Sequence, residues 1–226
     1  MKITYYGHSC FAAEVKGKHL LFDPFITPNP LAANVKVGEI KADYILLSHA
    51  HQDHVADAYD IAKRTGGVLM SNYEICMYFA GKGIKTFRPM NTGGAVTTKI
   101  FTVKSVNAIH SSSFDDGANG GNPGGFVISS DEGNFYYAGD TALTADMKLI
   151  GEEHKLSFAM LPVGDNFTMG YADAIKASDF IKCNNIIAMH YDTFDLIKID
   201  IPKVEQAFEK AGKKITFMKI GETKEI

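Results

Sequence analysis

Three histidines and an aspartate lie within residues 49–54, His-Ala-His-Gln-Asp-His, directly after an apolar run. Imidazole and carboxylate groups are the ligands that zinc and similar divalent ions take in proteins. His49 and His51 are two residues apart, so their side chains share a face where the backbone is extended and diverge on a helix. Asp53 and His54 point away from that pair, where they can reach a second ion. The pattern predicts a metal site, in which one loop can supply two ions.

Further ligands must come from other parts of the chain. Three polar residues each follow a predicted apolar strand: His110, Asp140 and His190. Taken singly, each is typical of an ordinary polar residue at a strand end, but together they supply the additional donors that two ions need. We predict that these side chains meet those of residues 49–54 at one edge of a sheet sandwich. The expected metal is zinc, with Mn²⁺, Ni²⁺ or iron as alternatives, because no cysteine ligand forces a choice.

Other polar residues are candidates that also have a structural interpretation. His8 follows a strand and a glycine, where it would protonate a leaving group, bind substrate or make a structural hydrogen bond. Asp23 ends another strand, where it would orient a ligand histidine or form a turn. Asp165, Asn166 and Thr168 lie between a predicted strand and helix, where they would line a substrate pocket, or Thr168 would cap the helix.

The composition indicates a globular protein with a single domain over residues 1–226. Hydrophobic residues make up 46% of the 226 residues, charged residues 22%, and the net charge is −3. This acidic balance argues against a nucleic-acid partner. No stretch resembles a signal peptide or a membrane span, so we expect a cytoplasmic protein with a small-molecule substrate, and a homo-oligomer is compatible with the sequence. Three cysteines without a Cys-x-x-Cys motif predict reduced, buried thiols.

Hydrophobic periodicity predicts the elements that position these residues. The predicted strands cover residues 2–6, 10–15, 20–22, 43–48, 68–70, 84–87, 95–108, 125–130, 134–138, 157–163, 185–189 and 215–219. One predicted helix begins after His54 and ends at Gly66, and three others cover residues 72–80, 171–181 and 200–211. The glycine- and asparagine-rich segment 111–125 is expected to be flexible and to lie over a cleft. Strands followed by helices, twice over, predict an α/β protein of two similar halves, a four-layer α/β/β/α sandwich.

The motif order resembles that of the metallo-β-lactamase superfamily, in which H-x-H-x-D-H is followed by a His, an Asp and a final His. Here residues 49–54 are followed by His110, Asp140 and His190. Within that superfamily, the chain is similar to small metal-dependent hydrolases related to ascorbate-6-phosphate lactonase. The stretches that carry this similarity are Tyr-Gly-His-Ser-Cys-Phe at 6–11, Leu-Phe-Asp-Pro-Phe at 21–25, Ala-Gly-Asp-Thr at 138–141, Phe-Thr-Met-Gly at 167–170 and Met-His-Tyr at 189–191.

The resemblance implies the metallo-β-lactamase fold and a centre with two divalent ions. One ion would take His49, His51 and His110, the other would take Asp53, His54 and His190, and Asp140 would bridge them. The expected catalytic residues are Asp53, Asp140 and His8.

The expected activity is hydrolysis by a metal-bridging hydroxide, because metal ions lower the pKa of bound water from about 15.7 to about 7. Two ions, two carboxylates and one hydroxide leave a charge of about +1, which favours a small anionic or polarised ester, lactone or phosphodiester. The alternatives are an iron-dependent oxidoreductase on the same scaffold and a non-catalytic metal-binding regulatory protein. Oxidoreductases of the superfamily carry a Glu at the position of His51, which disfavours the first alternative.

Overall fold

The structure is a computed structural model that describes residues 1–226 as two seven-stranded sheets with flanking helices. The strands are β1 (Lys2–Gly7), β2 (Cys10–Val15), β3 (Lys18–Phe22), β4 (Tyr44–Leu46), β5 (Val68–Ser71), β6 (Phe87–Pro89), β7 (Ala95–Thr97), β8 (Phe101–Asn107), β9 (Gly124–Ser130), β10 (Gly133–Tyr137), β11 (Phe158–Pro162), β12 (Asn185–Met189), β13 (Lys214–Thr216) and β14 (Thr223–Glu225). The α-helices are α1 (Gln52–Val55), α2 (Ala58–Thr65), α3 (Tyr73–Gly81), α4 (Met147–Glu153), α5 (Tyr171–Phe180) and α6 (Ile201–Lys210). Short 3₁₀ turns occupy Pro30–Ala32, Val37–Glu39 and Asp195–Ile197.

The two sheets repeat one progression of strand directions. The first sheet has the order β14-β1-β2-β3-β4-β5-β6 and the second has the order β13-β12-β11-β10-β9-β8-β7. In the first sheet β1 to β3 are antiparallel and β3 to β6 are parallel. In the second sheet β7 to β10 are antiparallel and β10 to β13 are parallel. The prediction of two similar halves is confirmed.

The side chains of each inner strand divide between two apolar layers. On β3, Leu20 and Phe22 join the cluster between the two sheets, while Leu21 joins a separate cluster with Ile61 of α2 and Phe79 of α3. This division follows from the two-residue period of a strand, which sends successive side chains to opposite faces. Helices α4, α5 and α6 cover the second sheet through Met147, Ala174 and Phe208. The predicted α/β/β/α layering is therefore confirmed.

Several predicted boundaries are wrong. Residues 95–108 form the hairpin of β7 and β8 rather than one strand, and α4 and β14 were not predicted. Only Met147 and Ile150 of α4 are buried, and β14 is a charged edge strand paired with β1, so neither shows a strong hydrophobic pattern. The three cysteines are free and buried, as predicted. None of the helices has the length and hydrophobicity needed to cross a bilayer.

The strands that precede the candidate residues end at one edge of the sandwich. In the first sheet β1, β3 and β4 run in the same direction, as β8, β10, β11 and β12 do in the second sheet. Several strands end abruptly there in left-handed backbone at non-glycine residues: His8 (φ 56°), Asp23 (φ 41°), Asp165 (φ 61°), Asn166 (φ 56°) and His190 (φ 54°). Such conformations cost free energy and are concentrated at functional sites, so this edge is where a site is expected.

Candidate metal centre

The structure brings the seven predicted ligand side chains together around the carboxylate of Asp140. Its Oδ2 atom lies within 3.8 Å of the Nε2 atoms of four histidines: His190 at 2.9 Å, His54 at 3.3 Å, His110 at 3.6 Å and His49 at 3.8 Å. The Asp140 side chain is almost completely buried. A single carboxylate thus contacts histidines that follow three separate strands, β4, β8 and β12.

The remaining ligands form two groups on either side of Asp140. His49, His51 and His110 have ligand atoms within 4.8 Å of one another, and Nε2 of His49 lies 3.0 Å from Nδ1 of His51. Asp53, His54 and His190 form the second group, together with His8. Adjacent residues of the stretch 49–54 therefore contribute to different groups. His51 precedes α1 with an extended backbone, whereas Asp53 and His54 lie in α1.

Hydrogen bonds to Asp23 and Ser48 determine which nitrogens of His49 and His54 carry protons. Asp23 Oδ2 accepts hydrogen bonds from Ser48 Oγ at 2.5 Å and from His54 Nδ1 at 2.8 Å. Because the Ser48 hydroxyl donates its hydrogen bond to Asp23, its oxygen accepts from His49 Nδ1 at 2.9 Å. The Nε2 atoms of His49 and His54 consequently present lone pairs to the centre. This arrangement is typical of histidines that ligate metal ions.

Buried atoms of the centre lack hydrogen-bond partners. They include His54 Nε2 and Asp140 Oδ1. A buried polar atom without a partner costs free energy, which a cation at that position would offset. The imidazole and carboxylate donors therefore suit a divalent metal ion.

The electrostatics of the centre keep most ligands in the protonation state that metal binding requires. Burial, together with the neighbouring His54, holds the pKa of His49 well below its ordinary value. Burial alone would raise the pKa of Asp140, but His190 and His54 hold it well below the ordinary range. Burial likewise lowers the pKa of His110. His54 differs: Asp140, Asp53 and Asp23 raise its pKa against the effect of burial, so a proton competes with a metal ion there.

His8 is completely buried beside the second group. Its Nδ1 lies 2.9 Å from Thr193 Oγ1, and its Nε2 lies 3.1 Å from Asp53 Oδ2. Burial lowers the pKa of His8 to about 4, so the ring is neutral at pH 7. A neutral, enclosed imidazole with both nitrogens engaged is poorly suited to protonating a leaving group. The structure favours the structural hydrogen bond that the sequence left open.

The predicted substrate residues lie on the loop after β11. Met169 N on this loop donates to Thr141 O at 3.0 Å, which places the loop directly beside Asp140. Asp165 and Asn166 are exposed on it. Thr168 does not cap α5, because Gly170 occupies the N-cap position.

The segment 111–125 is fixed rather than free over the centre. Asn72 Nδ2 donates to Gly120 O at 2.6 Å, and Ser112 Oγ donates to Gly120 O at 2.9 Å. The Phe114 ring stacks on Tyr78 with centroids 3.6 Å apart. The expectation of a flexible cover overlooked these contacts, because the composition of a loop does not reveal its partners.

An aromatic surface borders the second group. The rings of Phe25 and Phe194 lie 5.5 and 5.4 Å from the His8 ring, and 6.2 Å from each other. Phe25 is buried, whereas Phe194 remains 37% exposed. This aromatic surface of Phe25 and Phe194 is therefore apolar and partly open to solvent beside the second group.

Comparisons with known proteins agree with this geometry. The Beta-lactamase superfamily domain matches residues 2–190. A metal-dependent hydrolase of Flavobacterium johnsoniae is 54% identical over 226 residues, and the alignment covers 100% of both chains. Another, from Methanopyrus kandleri, is 42% identical over 94% of this chain and 93% of its own. The structure of Igni18, a metallo hydrolase from the archaeon Ignicoccus hospitalis, is 36% identical with a TM-score of 0.90, covering 100% of this chain and 98% of that chain.

The predicted superfamily is thereby confirmed, whereas the narrower resemblance to ascorbate-6-phosphate lactonase is not. Because the domain match covers most of the chain and the relatives align along nearly their whole length, this protein belongs to the metallo-β-lactamase superfamily, among relatives named metal-dependent hydrolases.

Proposed function

We propose that this protein is a dinuclear metal-dependent hydrolase that acts on a small ester, lactone or phosphodiester. The observation that carries the proposal is the position of Asp140 Oδ2, within 3.8 Å of histidines from both ligand groups. A carboxylate between two groups of ligands is suited to bridge two ions. The naming of full-length relatives as metal-dependent hydrolases supports the reaction class.

His49, His51 and His110 would hold one ion, and Asp53, His54 and His190 would hold the other, with Asp140 shared. Zinc suits these donors, with Mn²⁺, Ni²⁺ or iron as alternatives. When bound, such ions supply a water of pKa about 7 and polarise the substrate oxygen on which charge develops.

The chain's own residues orient these ligands and set their protonation states. Asp23 fixes the ring of His54 directly and that of His49 through Ser48. All ion-pair partners of Asp53 and Asp140 are histidines. Because no lysine or arginine pairs with these carboxylates, attraction of an anionic or polarised substrate depends on the positive charge that the ions leave.

The aromatic surface of Phe25 and Phe194 indicates the side of the centre that receives an apolar part of the substrate. It contacts His8, which in turn contacts Asp53. An apolar group there would be removed from water as the scissile bond approaches the centre. A small substrate with an alkyl or aryl group therefore fits better than a nucleic acid, in keeping with the net charge of −3.

The test is to deplete the protein of metal and to restore Zn²⁺ or Mn²⁺ stepwise. Hydrolysis of p-nitrophenyl acetate, a γ-lactone and bis(p-nitrophenyl) phosphate is measured at each step. We expect activity on at least one substrate class to saturate at two equivalents and to be lost again with a chelator. Saturation at one equivalent would contradict the dinuclear centre. A protein that binds two equivalents and hydrolyses none of the three classes would contradict the reaction.

A further inference from the structure

His8 contacts all three residues of one ligand group, Asp53, His54 and His190. Its Nε2 lies 3.1 Å from Asp53 Oδ2, and its carbonyl oxygen accepts a hydrogen bond from His190 N at 3.0 Å. The rings of His8 and His190 lie 4.3 Å apart. His8 makes no hydrogen bond or ring contact with any residue of the group His49, His51 and His110. Its contacts are therefore confined to one half of the centre.

The orientation of Asp53 depends on His8. The hydrogen bond from His8 is the only one that the Asp53 side chain makes. That side chain remains 25% exposed, and the helix α1 that carries it has only four residues. The Nε2 atoms of His54 and His190 lie 3.8 Å from Asp53 Oδ2, beyond hydrogen-bond distance, so the His8 hydrogen bond is the specific restraint on the orientation of the Asp53 carboxylate.

His8 itself is rigidly held. Tyr5 Oη donates to its carbonyl oxygen at 3.1 Å, and Thr193 Oγ1 lies 2.9 Å from its Nδ1. The Asp53 carboxylate can only accept, so Nε2 of His8 carries the ring proton and donates to it, and Nδ1 accepts from the Thr193 hydroxyl, which also lies 3.3 Å from Tyr191 O. Thr193, His8 and Asp53 thus form a chain of hydrogen bonds from a buried threonine to a metal ligand.

We propose that His8 is a positioning residue for one half of the metal centre. It aims the Asp53 carboxylate and supports His190, so its loss weakens the ion held by Asp53, His54 and His190 and leaves the other ion in place. The inference rests on the proposed dinuclear centre. Hydrogen-bond partners of metal ligands typically change metal affinity by about 10- to 100-fold, which sets the size of the expected effect.

Three substitutions separate the hydrogen bond from packing. Gln at position 8 places an amide N–H near the former Nε2 and can still reach Asp53. Asn places its amide near the former Nδ1 and reaches only Thr193, although it tolerates the left-handed backbone better. Leu reaches neither. If the hydrogen bond matters, His8→Gln should bind metal more tightly than His8→Asn. Backbone strain alone would give the opposite order.

The experiment is a stepwise titration of the metal-free proteins with Co²⁺, monitored by visible absorption and by competition with a chelator. Wild type should show two binding steps. His8→Asn and His8→Leu should weaken one step about 10- to 100-fold and leave the other unchanged, while His8→Gln stays close to wild type. His154→Asn, which alters a histidine whose only ion-pair partner is Glu153, is the control and should match wild type.

Three results would overturn the proposal. Equal weakening of both steps would show general destabilisation. Loss in His8→Gln as large as in His8→Leu would show that the hydrogen bond to Asp53 is not what matters. A single step in wild type would overturn the dinuclear centre itself and, with it, the assignment of His8 to one half. If His8→Leu fails to fold, the comparison of Gln with Asn still decides.

Discussion

Asp23 Oδ2 lies 2.8 Å from Nδ1 of His54, and both side chains are completely shielded from solvent. The same oxygen accepts hydrogen bonds from Tyr137 Oη at 2.7 Å and Ser48 Oγ at 2.5 Å. Donors from two parts of the chain, residues 48–54 and β10, thus converge on one carboxylate. Asp23 determines the orientation of His54 directly and that of His49 through Ser48.

Replacing Asp23 by Asn should weaken metal binding. The amide oxygen accepts more weakly than a carboxylate, and the amide N–H₂ would face donors that need an acceptor. We expect metal affinity to fall about 10- to 100-fold and the free energy of unfolding of the metal-free protein to fall by about 1–3 kcal/mol. Chelator competition and urea unfolding measure the two effects. Asp43→Asn is the control, since Asp43 binds His19 N and Lys18 Nζ outside the centre.

The largest loss is expected when a central ligand is removed. His49→Ala removes a donor, and Asp140→Ala removes the carboxylate that contacts four histidines. Each change should lower kcat/KM more than about 100-fold, since even partners of ligands have effects of up to that size. Metal content by elemental analysis should fall in parallel. Substantial hydrolysis by either variant would rule out this mechanism.

The side chains that cluster around Asp140 could be predicted from sequence because each one follows an apolar strand. Residues 49–54, His110, Asp140 and His190 combine a metal-binding residue type with a local strand signal. The residues that hydrogen-bond to these side chains show no such pattern in the sequence. Tyr137 is one buried aromatic among several in β10, and its hydroxyl reaches Asp23 across 114 residues of sequence. Contacts of that kind depend on the assembled sandwich.

The errors in secondary structure have a similar cause. Residues 95–108 alternate like one strand, but Thr98 Oγ1 accepts a hydrogen bond from Phe101 N and turns the chain. Side-chain hydrogen bonds to the backbone compete with strand pairing without changing the hydrophobic pattern. Strand β14 likewise forms because it pairs with β1, where Lys2 lies opposite Glu225. Its own charged sequence does not predict a strand.

Acid should destabilise the metal-free protein. Burial lowers the pKa of His8 to about 4, below the ordinary imidazole value of about 6.5. Between these pH values the unfolded chain binds a proton on the His8 ring that the folded chain does not bind. The free energy of unfolding therefore falls as the pH falls from about 6.5 towards 4. His8 alone would account for about 3 kcal/mol. His49, whose pKa is also lowered by burial, acts in the same direction, while His54, whose pKa is raised, opposes it.

Urea unfolding at a series of pH values from 7 to 4 measures this loss. His8→Gln has no titrating group at this position, so its stability should decline less steeply over the same range. Identical slopes for wild type and His8→Gln would show that His8 does not contribute.

Phe194 should favour substrates with an apolar group. Its ring is 37% exposed beside His8 and Phe25. In Phe194→Ala, the ratio of kcat/KM for phenyl acetate to that for methyl acetate should fall about 10-fold, as expected for the loss of one apolar contact surface. Leu149→Ala removes another exposed apolar side chain, from α4, and should leave the ratio unchanged. A parallel fall for both esters would contradict a role in specificity.

Gly164 should tolerate no side chain, because its backbone packs directly against the loop that carries His190. A Cβ atom on Gly164 would collide with the carbonyl oxygen of His190 and lie 3.0 Å from Cβ of Ile197. Since both neighbours belong to a packed segment, Gly164→Ala should displace His190, cost about 1–3 kcal/mol of stability and weaken metal binding. A Cβ on Gly38 would meet nothing within 4 Å, so Gly38→Ala is the matched control. Thermal unfolding and chelator competition on both variants decide the matter, and a Gly164→Ala protein indistinguishable from Gly38→Ala would show that this loop can shift without disturbing the centre.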